Sequence, residues 1–274
     1  MNLQSTFQMN NGNRIPVVAM GSWDSRGDEG YQACLDALEA GYRHLDTASY
    51  YENEAQVGAA VRDSGIPREE IFVTSKIWYT DMVEGKQEAA FEKTLKELGL
   101  EYLDLYLLHW PINDVAGSWK ILEKYYDQGL IKNIGVSNFN ENHLKRLEKT
   151  ANVAPAVDQI EICPFLVQKD TVDYCQGQGI IVEAWGPLGK GKQLGEPEII
   201  KLAEKYKKTP AQIILRWHLQ RGIVSLPKSV HKERIISNGD IFDFELSEED
   251  MKLMMTMDHR AETGRGYPAE YKEA

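Results

Sequence analysis

Eight short apolar runs alternate with longer amphipathic runs along this 274-residue chain, and no other feature constrains its fold so strongly. The short runs, read as strands, are 17–20, 43–46, 71–76, 103–109, 133–137, 156–160, 180–185 and 223–226. The clearest helical runs are 28–39, 54–62, 86–97, 115–127, 141–149, 169–176 and 210–219. One helical stripe is explicit in Phe91, Leu95 and Leu98, spaced i, i+4, i+7. Gly41, Gly65, Gly99, Gly129 and Gly222 stand where helices should stop. Strand and helix in regular succession imply parallel strands joined by crossovers. Eight such units at this length predict a (β/α)8 barrel, which typically takes about 250 residues. An open doubly wound sheet is the rival, but the chain has no G-x-G-x-x-G. Ahead of the first strand, 6–9 and 14–16 flank Asn10-Asn11-Gly12-Asn13, which reads as a β-hairpin placed to plug the barrel floor. No linker or low-complexity stretch divides residues 1–274, so a single domain is expected, with a loose tail from Thr263 to Ala274.

Charge and composition remove several classes of function. Thirty-one Lys and Arg against 42 Asp and Glu leave a formal charge of −11, which disfavours nucleic acid as a partner. No apolar run reaches the roughly 18 residues a membrane span needs. The start, Met1-Asn2-Leu3-Gln4-Ser5-Thr6, lacks the basic-then-apolar pattern of a secretory signal. Cys34, Cys163 and Cys175 are odd in number and widely spaced, which suits reduced thiols and a cytoplasmic protein. The histidines show no metal-ligand spacing, and no metal is expected.

The polar residues at the strand ends carry the chemistry. Asp46, Lys76, His109, Ser137 with Asn138, and Gln159 each fall at the C-terminal end of a predicted strand. In a barrel these ends converge on one face, which is the catalytic one. A phenol has an ordinary pKa near 10, and an ammonium beside it should lower that value. Tyr51 with Lys76, and Asp46 keeping the lysine charged, therefore reads as a general acid. His109 is placed to hold the same substrate oxygen or relay a proton. The alternative is that Asp46 and Lys76 form only a buried structural ion pair and Tyr51 lies on the rim.

The segment Gly41-Tyr42-Arg43-His44-Leu45-Asp46-Thr47-Ala48-Ser49-Tyr50-Tyr51-Glu52-Asn53-Glu54 resembles the aldo-keto reductase signature. Thr74–Trp78, Leu105–Pro111, Gly135–Phe139 and Leu226–Val230 look like its other blocks, in the same order and over almost the whole chain. The stretch from Trp185 to Gly191 followed by Thr209–Gln212 looks most like the bacterial branch that includes 2,5-diketo-gluconic acid reductases. The resemblance implies reduction of an aldehyde or ketone by hydride from NADPH. Tyr51 would be the acid, tuned by Lys76 and Asp46, with His109 orienting the oxygen.

Cofactor positions carry over on the same basis. Ser137, Asn138 and Gln159 match residues that bond the nicotinamide carboxamide, and Trp185 matches an aromatic ring stacked on the nicotinamide; its alternative is plain core. Gly186-Pro187-Leu188-Gly189-Lys190-Gly191-Lys192 nearly makes a Walker A loop but has Gln193 where Ser or Thr is needed. The resemblance reads it as a backbone loop against the pyrophosphate, through Gly186, Leu188, Gly189 and Gly191. Lys228, Ser229 and Arg234 match the cradle of the adenosine 2′-phosphate, Val230 is a further cofactor-binding position, and Asn238 matches an adenine contact, though Ser237 replaces the family's common Glu. Without the resemblance, 228–234 is equally a solvated helix start.

The substrate is expected among Trp23, Trp78, Trp110 and His109. Trp119 and Trp217 read as packing, His44 as strand-packed, and Cys163 has no assigned role. A short stretch after His109 suggests an open pocket without a long lid. A small dicarbonyl or keto-sugar acid is the expected substrate, and the family suggests a monomer. Two other classes share these residues: a cofactor-binding sensor without turnover, and a barrel lyase or isomerase using Lys76 as a Schiff-base amine.

Overall fold

A computed structural model describes residues 1–111 and 115–259. The predicted tail at 263–274 lies outside the described residues, as do 112–114 of the loop after His109. A hairpin of β1 (Thr6–Gln8) and β2 (Arg14–Pro16) opens the chain, paired antiparallel with Phe7 opposite Ile15. Eight parallel strands follow in one sheet: β3 (Met20–Gly21), β4 (His44–Asp46), β5 (Phe72–Ile77), β6 (Leu105–Leu108), β7 (Ile134–Ser137), β8 (Val157–Glu161), β9 (Ile181–Trp185) and β10 (Val224–Leu226). Each strand pairs with the next in chain order, and bridges Val18–Ser225 and Gly21–Lys228 bring β3 back to β10. The expected (β/α)8 barrel with its N-terminal hairpin is therefore the observed fold.

Most strands are shorter than the apolar runs, though β5 and β8 keep the full length of theirs, shifted by one residue. The run 17–20 becomes a two-residue strand, and 103–109 keeps only its middle four residues. Apolar side chains just outside a strand are still buried, Val17, Val18 and Leu103 among them, so hydrophobicity overstates the length of hydrogen-bonded ladder.

The helices are α1 (Gly27–Glu39), α2 (Glu54–Asp63), α3 (Tyr79–Val83), α4 (Gln87–Leu98), α5 (Val115–Asp127), α6 (Glu141–Glu148), α7 (Lys169–Gly177), α8 (Pro197–Tyr206), α9 (Pro210–Gln220), α10 (Lys232–Gly239) and α11 (Glu248–Met255). The seven predicted helices all form. The sequence reading passed over α3, α8 and α11, and offered α10 only as a solvated helix start at 228–234. The signal for α8 was present: Pro197 in its first turn and a buried stripe of Ile199, Leu202 and Ala203. α9 begins at a capping box in which Thr209 and Gln212 satisfy each other's backbone N–H.

Two apolar clusters hold the fold. The larger lies between barrel and helices and includes Leu38, Val61, Phe91, Leu122, Trp119 and Trp217, the last two packing as expected. The smaller fills the barrel itself, where Met9 and Ile15 of the hairpin meet Phe72, Leu105, Val157 and Val224. The hairpin thus closes the floor, and the opposite, C-terminal face is left for chemistry.

Gly58 sits where α2 crosses the end of α4, and a Cβ there would overlap the Leu98 carbonyl. Gly58→Ala should therefore lower unfolding stability by about 1–3 kcal/mol, the usual range for overpacking. Urea denaturation checks this; an unchanged midpoint would mean that the helices can separate freely.

Candidate active site

The C-terminal strand ends bring Asp46, Lys76, His109, Ser137, Asn138, Gln159 and Trp185 to one face of the barrel. Alternation along each strand points Asp46, Lys76, Ser137, Gln159 and Trp185 inward, whereas Asn138, just past β7, reaches the site through its left-handed backbone. Lys76 is fully buried, and its Nζ lies 2.7 and 2.8 Å from the two Asp46 oxygens and 2.8 Å from the Thr47 carbonyl. Tyr51 Oη is 3.5 Å from the same nitrogen. A short helical turn, Ser49–Tyr51, carries this tyrosine over the strand ends, tied down by Ser49 Oγ donating to the Lys76 carbonyl at 3.0 Å. His109 meets the Tyr51 ring edge-on at 5.8 Å between centroids and Trp78 at 5.0 Å.

Electrostatics here follow burial as much as charge. Burial acts to lower Lys76, but Asp46, Tyr51 and Glu183 outweigh it and hold the amine as an ammonium. Burial pushes the Asp46 carboxyl up, against the pull of Lys76 and of the Gln159 amide. Two Asp46 oxygens facing one ammonium is the geometry of a charge-separated pair. The expectation that Lys76 brings the Tyr51 phenol below its ordinary value is corrected. Burial raises it, Lys76 only opposes that rise, and Asp46 adds to it. Tyr51 therefore holds its proton at neutral pH. Burial, then Lys76, drive His109 well below its ordinary value, so its imidazole is neutral. His109 Nδ1 is buried without a partner among the described residues.

The amide cluster is more committed than its residue types suggested. Asn138 donates from Nδ2 to the His109 carbonyl at 2.9 Å and to Ser137 Oγ at 3.2 Å, and accepts from Trp185 Nε1 at 2.9 Å. Its φ of +63° is left-handed, a conformation that Asn tolerates better than most residues. Ser137 Oγ donates to the Gln159 carbonyl at 2.7 Å. Gln159 Nε2 donates to Asp46 Oδ2 at 2.9 Å and to Glu183 Oε2 at 2.8 Å. Both amide protons of Gln159 are thus used inside the barrel, and only its Oε1 is left to accept from a ligand.

After β9, Gly186, Gly189 and Gly191 all have positive φ, and a Cβ on Gly191 would meet nothing within 4 Å. This open backbone is the kind that lets a phosphate approach. Leu188 anchors the loop against the core. Gln193 explains the broken Walker pattern: it turns inward, fully buried, with Nε2 2.9 Å from Cys163 Sγ. Lys190 Nζ lies 5.6 Å from the Trp23 ring, linking the loops after β9 and β3. Trp23 is 46% exposed, whereas Trp110 is buried beside His109.

Lys228, Ser229 and Val230 follow β10 directly, with Arg234 and Asn238 on α10. Ser229 Oγ accepts from the His231 backbone N–H at 3.1 Å, and Asn238 is buried. Lys228 and Arg234 are exposed and form no ion pair among the described residues. A separate open cleft of about 450 Å³ lies behind the stacked Tyr50 and Trp78 rings, walled also by Lys86 and Lys93. It does not reach Tyr51.

Three residues of the site escaped sequence reasoning. Tyr50 stacks on Trp78 at 3.9 Å, and Thr47 offers its carbonyl to Lys76. Neither left a signal beyond its place in the motif. Glu183 did leave one: a lone carboxylate within the apolar run 180–185.

Residues 18–258 match the Aldo/keto reductase family profile. The Glyoxal reductase of Bacillus subtilis (strain 168) is 48% identical over 251 residues, 91% of either chain. An aldo-keto reductase enzyme from a Medee basin deep-sea metagenome library superimposes with a TM-score of 0.93 at 41% identity, over 97% of this chain and 99% of that one. A Bombyx mori aldo-keto reductase in complex with NADP superimposes with a TM-score of 0.91 at 36% identity, over 97% and 98%.

Proposed function

Because this chain belongs to the aldo/keto reductase family, whose members reduce carbonyls, we propose that it is an NADPH-dependent reductase of small dicarbonyl compounds with Tyr51 as general acid. The observation that carries this reading is the phenol of Tyr51 held 3.5 Å from a buried ammonium that Asp46 keeps charged.

The residues present fit a nicotinamide dinucleotide. Gln159 Oε1 is the acceptor left over once its amide protons are spent on Asp46 and Glu183. Trp185 offers a ring face whose plane Asn138 fixes. Gly186, Gly189, Gly191 and Leu188 form the open-backbone loop, and Lys228, Ser229, Val230, Arg234 and Asn238 would hold the phosphorylated adenosine. Two cations without ion-pair partners among the described residues, beside a helix start, suit a phosphate. The NADP bound to the Bombyx mori relative supports the choice of cofactor.

When bound, the reduced nicotinamide supplies a hydride. The protein does the rest. Tyr51 and the neutral His109 hydrogen-bond the substrate oxygen and orient its carbonyl. As negative charge develops on that oxygen, Tyr51 Oη gives up its proton. Lys76 stabilises the phenolate left behind, and Asp46 keeps Lys76 cationic. These charges are preorganised in a buried site, where they act more strongly than in water. Trp78 and Trp110 wall the pocket beside His109, with Trp23 at its outer edge.

A second carbonyl draws electrons from the first and makes it the better hydride acceptor, and the glyoxal reductase relative points to the same substrate class. The keto-sugar acid 2,5-diketo-gluconate, suggested by the loop sequence, is the second substrate to try. The direct test is NADPH consumption with glyoxal, methylglyoxal and 2,5-diketo-gluconate. Turnover of the dicarbonyls supports the reading; tight NADPH binding with no turnover of any carbonyl favours a sensor instead. Borohydride trapping of a substrate on Lys76 would favour the lyase. We place the enzyme in the cytoplasm as a single-domain monomer, in keeping with its three buried free thiols. Light scattering should return the mass of one chain.

Arg234→Ala should raise the Kd for NADPH about tenfold or more, since hydrogen bonds to charged groups contribute about 1.5–3 kcal/mol. The Kd for NADH, which lacks the 2′-phosphate, should stay unchanged. Fluorescence titration measures both, and equal loss for the two cofactors would remove Arg234 from the phosphate site.

A further inference from the structure

Glu183 is the one charged residue of β9, in Ile181-Val182-Glu183-Ala184-Trp185, and it is fully buried. It shares strand parity with Trp185, so it points into the barrel below the catalytic face. Its Oε2 accepts from Gln159 Nε2 at 2.8 Å, and the same nitrogen donates to Asp46 Oδ2 at 2.9 Å. Asp46 receives Lys76 at 2.7 Å, and Lys76 reaches Tyr51 Oη at 3.5 Å. An unbroken polar chain therefore runs Glu183–Gln159–Asp46–Lys76–Tyr51, from the barrel interior to the reacting oxygen.

Nothing in the proposed reaction uses the inner end of this chain, and burying an ionisable group there is unfavourable. A glutamine would satisfy Gln159 equally well. What glutamate adds is a proton that can leave.

We propose that Glu183 is a positioning residue of the reduction: it holds the Gln159 amide against Asp46, and its charge state sets how readily Tyr51 releases its proton. This rests on Tyr51 being the acid. With Glu183 neutral, Asp46 is the single anion beside Lys76. When Glu183 loses its proton to solvent, a second negative charge enters the same low-dielectric space. Lys76 then holds its protons more tightly, its pull on the Tyr51 phenolate is partly cancelled, and Tyr51 becomes a weaker acid.

The surroundings place this switch on the alkaline side of neutrality. Burial, then the Asp46 charge, push the Glu183 carboxyl up to about 8, while Gln159 and Lys76 pull against them. The other ionisable groups facing it are Asp46, Lys76 and His44. His44 Nε2 is 3.9 Å from Glu183 Oε1 and bonds Thr74 Oγ1 at 2.8 Å. Burial, then Lys76, drive His44 down to about 3, so it brings no charge. The strands on either side place Gln159 and Val224 in register with Glu183.

Glu183→Gln keeps the shape and the acceptor but cannot ionise. For one ionisation near 8, the wild-type kcat for reduction should fall from pH 7 to pH 9 by up to about tenfold, the limit reached when the ionised form does not turn over, and in the variant by less than about twofold. Two readouts on the apoprotein need no turnover. The wild-type infrared spectrum should contain a buried protonated-carboxyl band that titrates near 8 and is missing from the variant. Thermal unfolding supplies the other. A carboxyl whose folded value lies above its unfolded one contributes stability that is lost as pH rises from the ordinary carboxylate range to about 8. The wild-type midpoint should therefore drop over that window relative to the variant and run parallel to it above. A Glu183 whose folded and unfolded values coincide would offset the two curves by a constant, so this readout tests the titration and the kcat profile tests the role. Superimposable pH profiles of kcat in two active enzymes would overturn the proposal. A wild type that turns over no carbonyl would overturn the function reading instead, and the infrared band would still report whether Glu183 titrates.

Discussion

Tyr51→Phe should lower kcat for carbonyl reduction by about 10²–10⁴-fold, the usual contribution of a positioned general acid. The Kd for NADPH should stay within about twofold. The substitution removes one oxygen and leaves the ring, so the edge contact with His109 and the Lys76 ammonium 5.0 Å from the ring centroid both persist. Lys76 keeps its bonds to Asp46 and to the Thr47 carbonyl, so the fold has little reason to change. Steady-state NADPH oxidation read beside a fluorescence binding titration separates the two effects. A kcat within tenfold of wild type would move the acid role to another group, His109 being the neighbour at hand.

Lys76→Met should have the largest effect on stability, about 3–5 kcal/mol, because it strands the buried Asp46 carboxylate without its partner. Activity should fall as well, since nothing then opposes the rise that burial imposes on the Tyr51 phenol. The sign of the pH dependence follows. In Lys76→Met the folded state favours protonated Asp46, so its stability should recover as pH falls and worsen as pH rises above the ordinary carboxylate range. The double variant Asp46→Asn, Lys76→Met removes both charges and should regain most of the lost stability, because well-packed neutral replacements of buried pairs are often tolerated. It should not regain activity. Urea denaturation and NADPH oxidation on the three variants decide the matter. Recovery of both together would reduce the pair to a structural ion pair.

The barrel was legible because periodicity and strand–helix order are local properties. The run read as 71–76 forms the strand Phe72–Ile77, which the structure buries at every position, and Gly99 with φ +63° ends α4 where a glycine stop was expected. The site was legible for a related reason. In a parallel barrel each strand ends on the same face, so knowing that Asp46, Lys76, His109 and Gln159 end their strands already brings them together. Seven helices were read for eight strands; α8 and α11 add to that alternation, whereas α10, whose segment read only as a solvated helix start, supplies the helix missing after β10.

Residue order thus yields the architecture, the face that carries the candidate site and the strand-end side chains that gather there. It does not yield their states, because desolvation and hydrogen-bond partners come from residues far apart along the chain. Gln159 spends its amide on Asp46, 113 positions away, and on Glu183, 24 positions away. Only the closed barrel leaves that amide a single acceptor for a ligand, sets a carboxyl behind the Asp46–Lys76 pair, and makes burial outweigh the neighbouring ammonium at Tyr51. A spacing between residues can promise that two groups will meet; the volume of water excluded around them fixes which one keeps the proton.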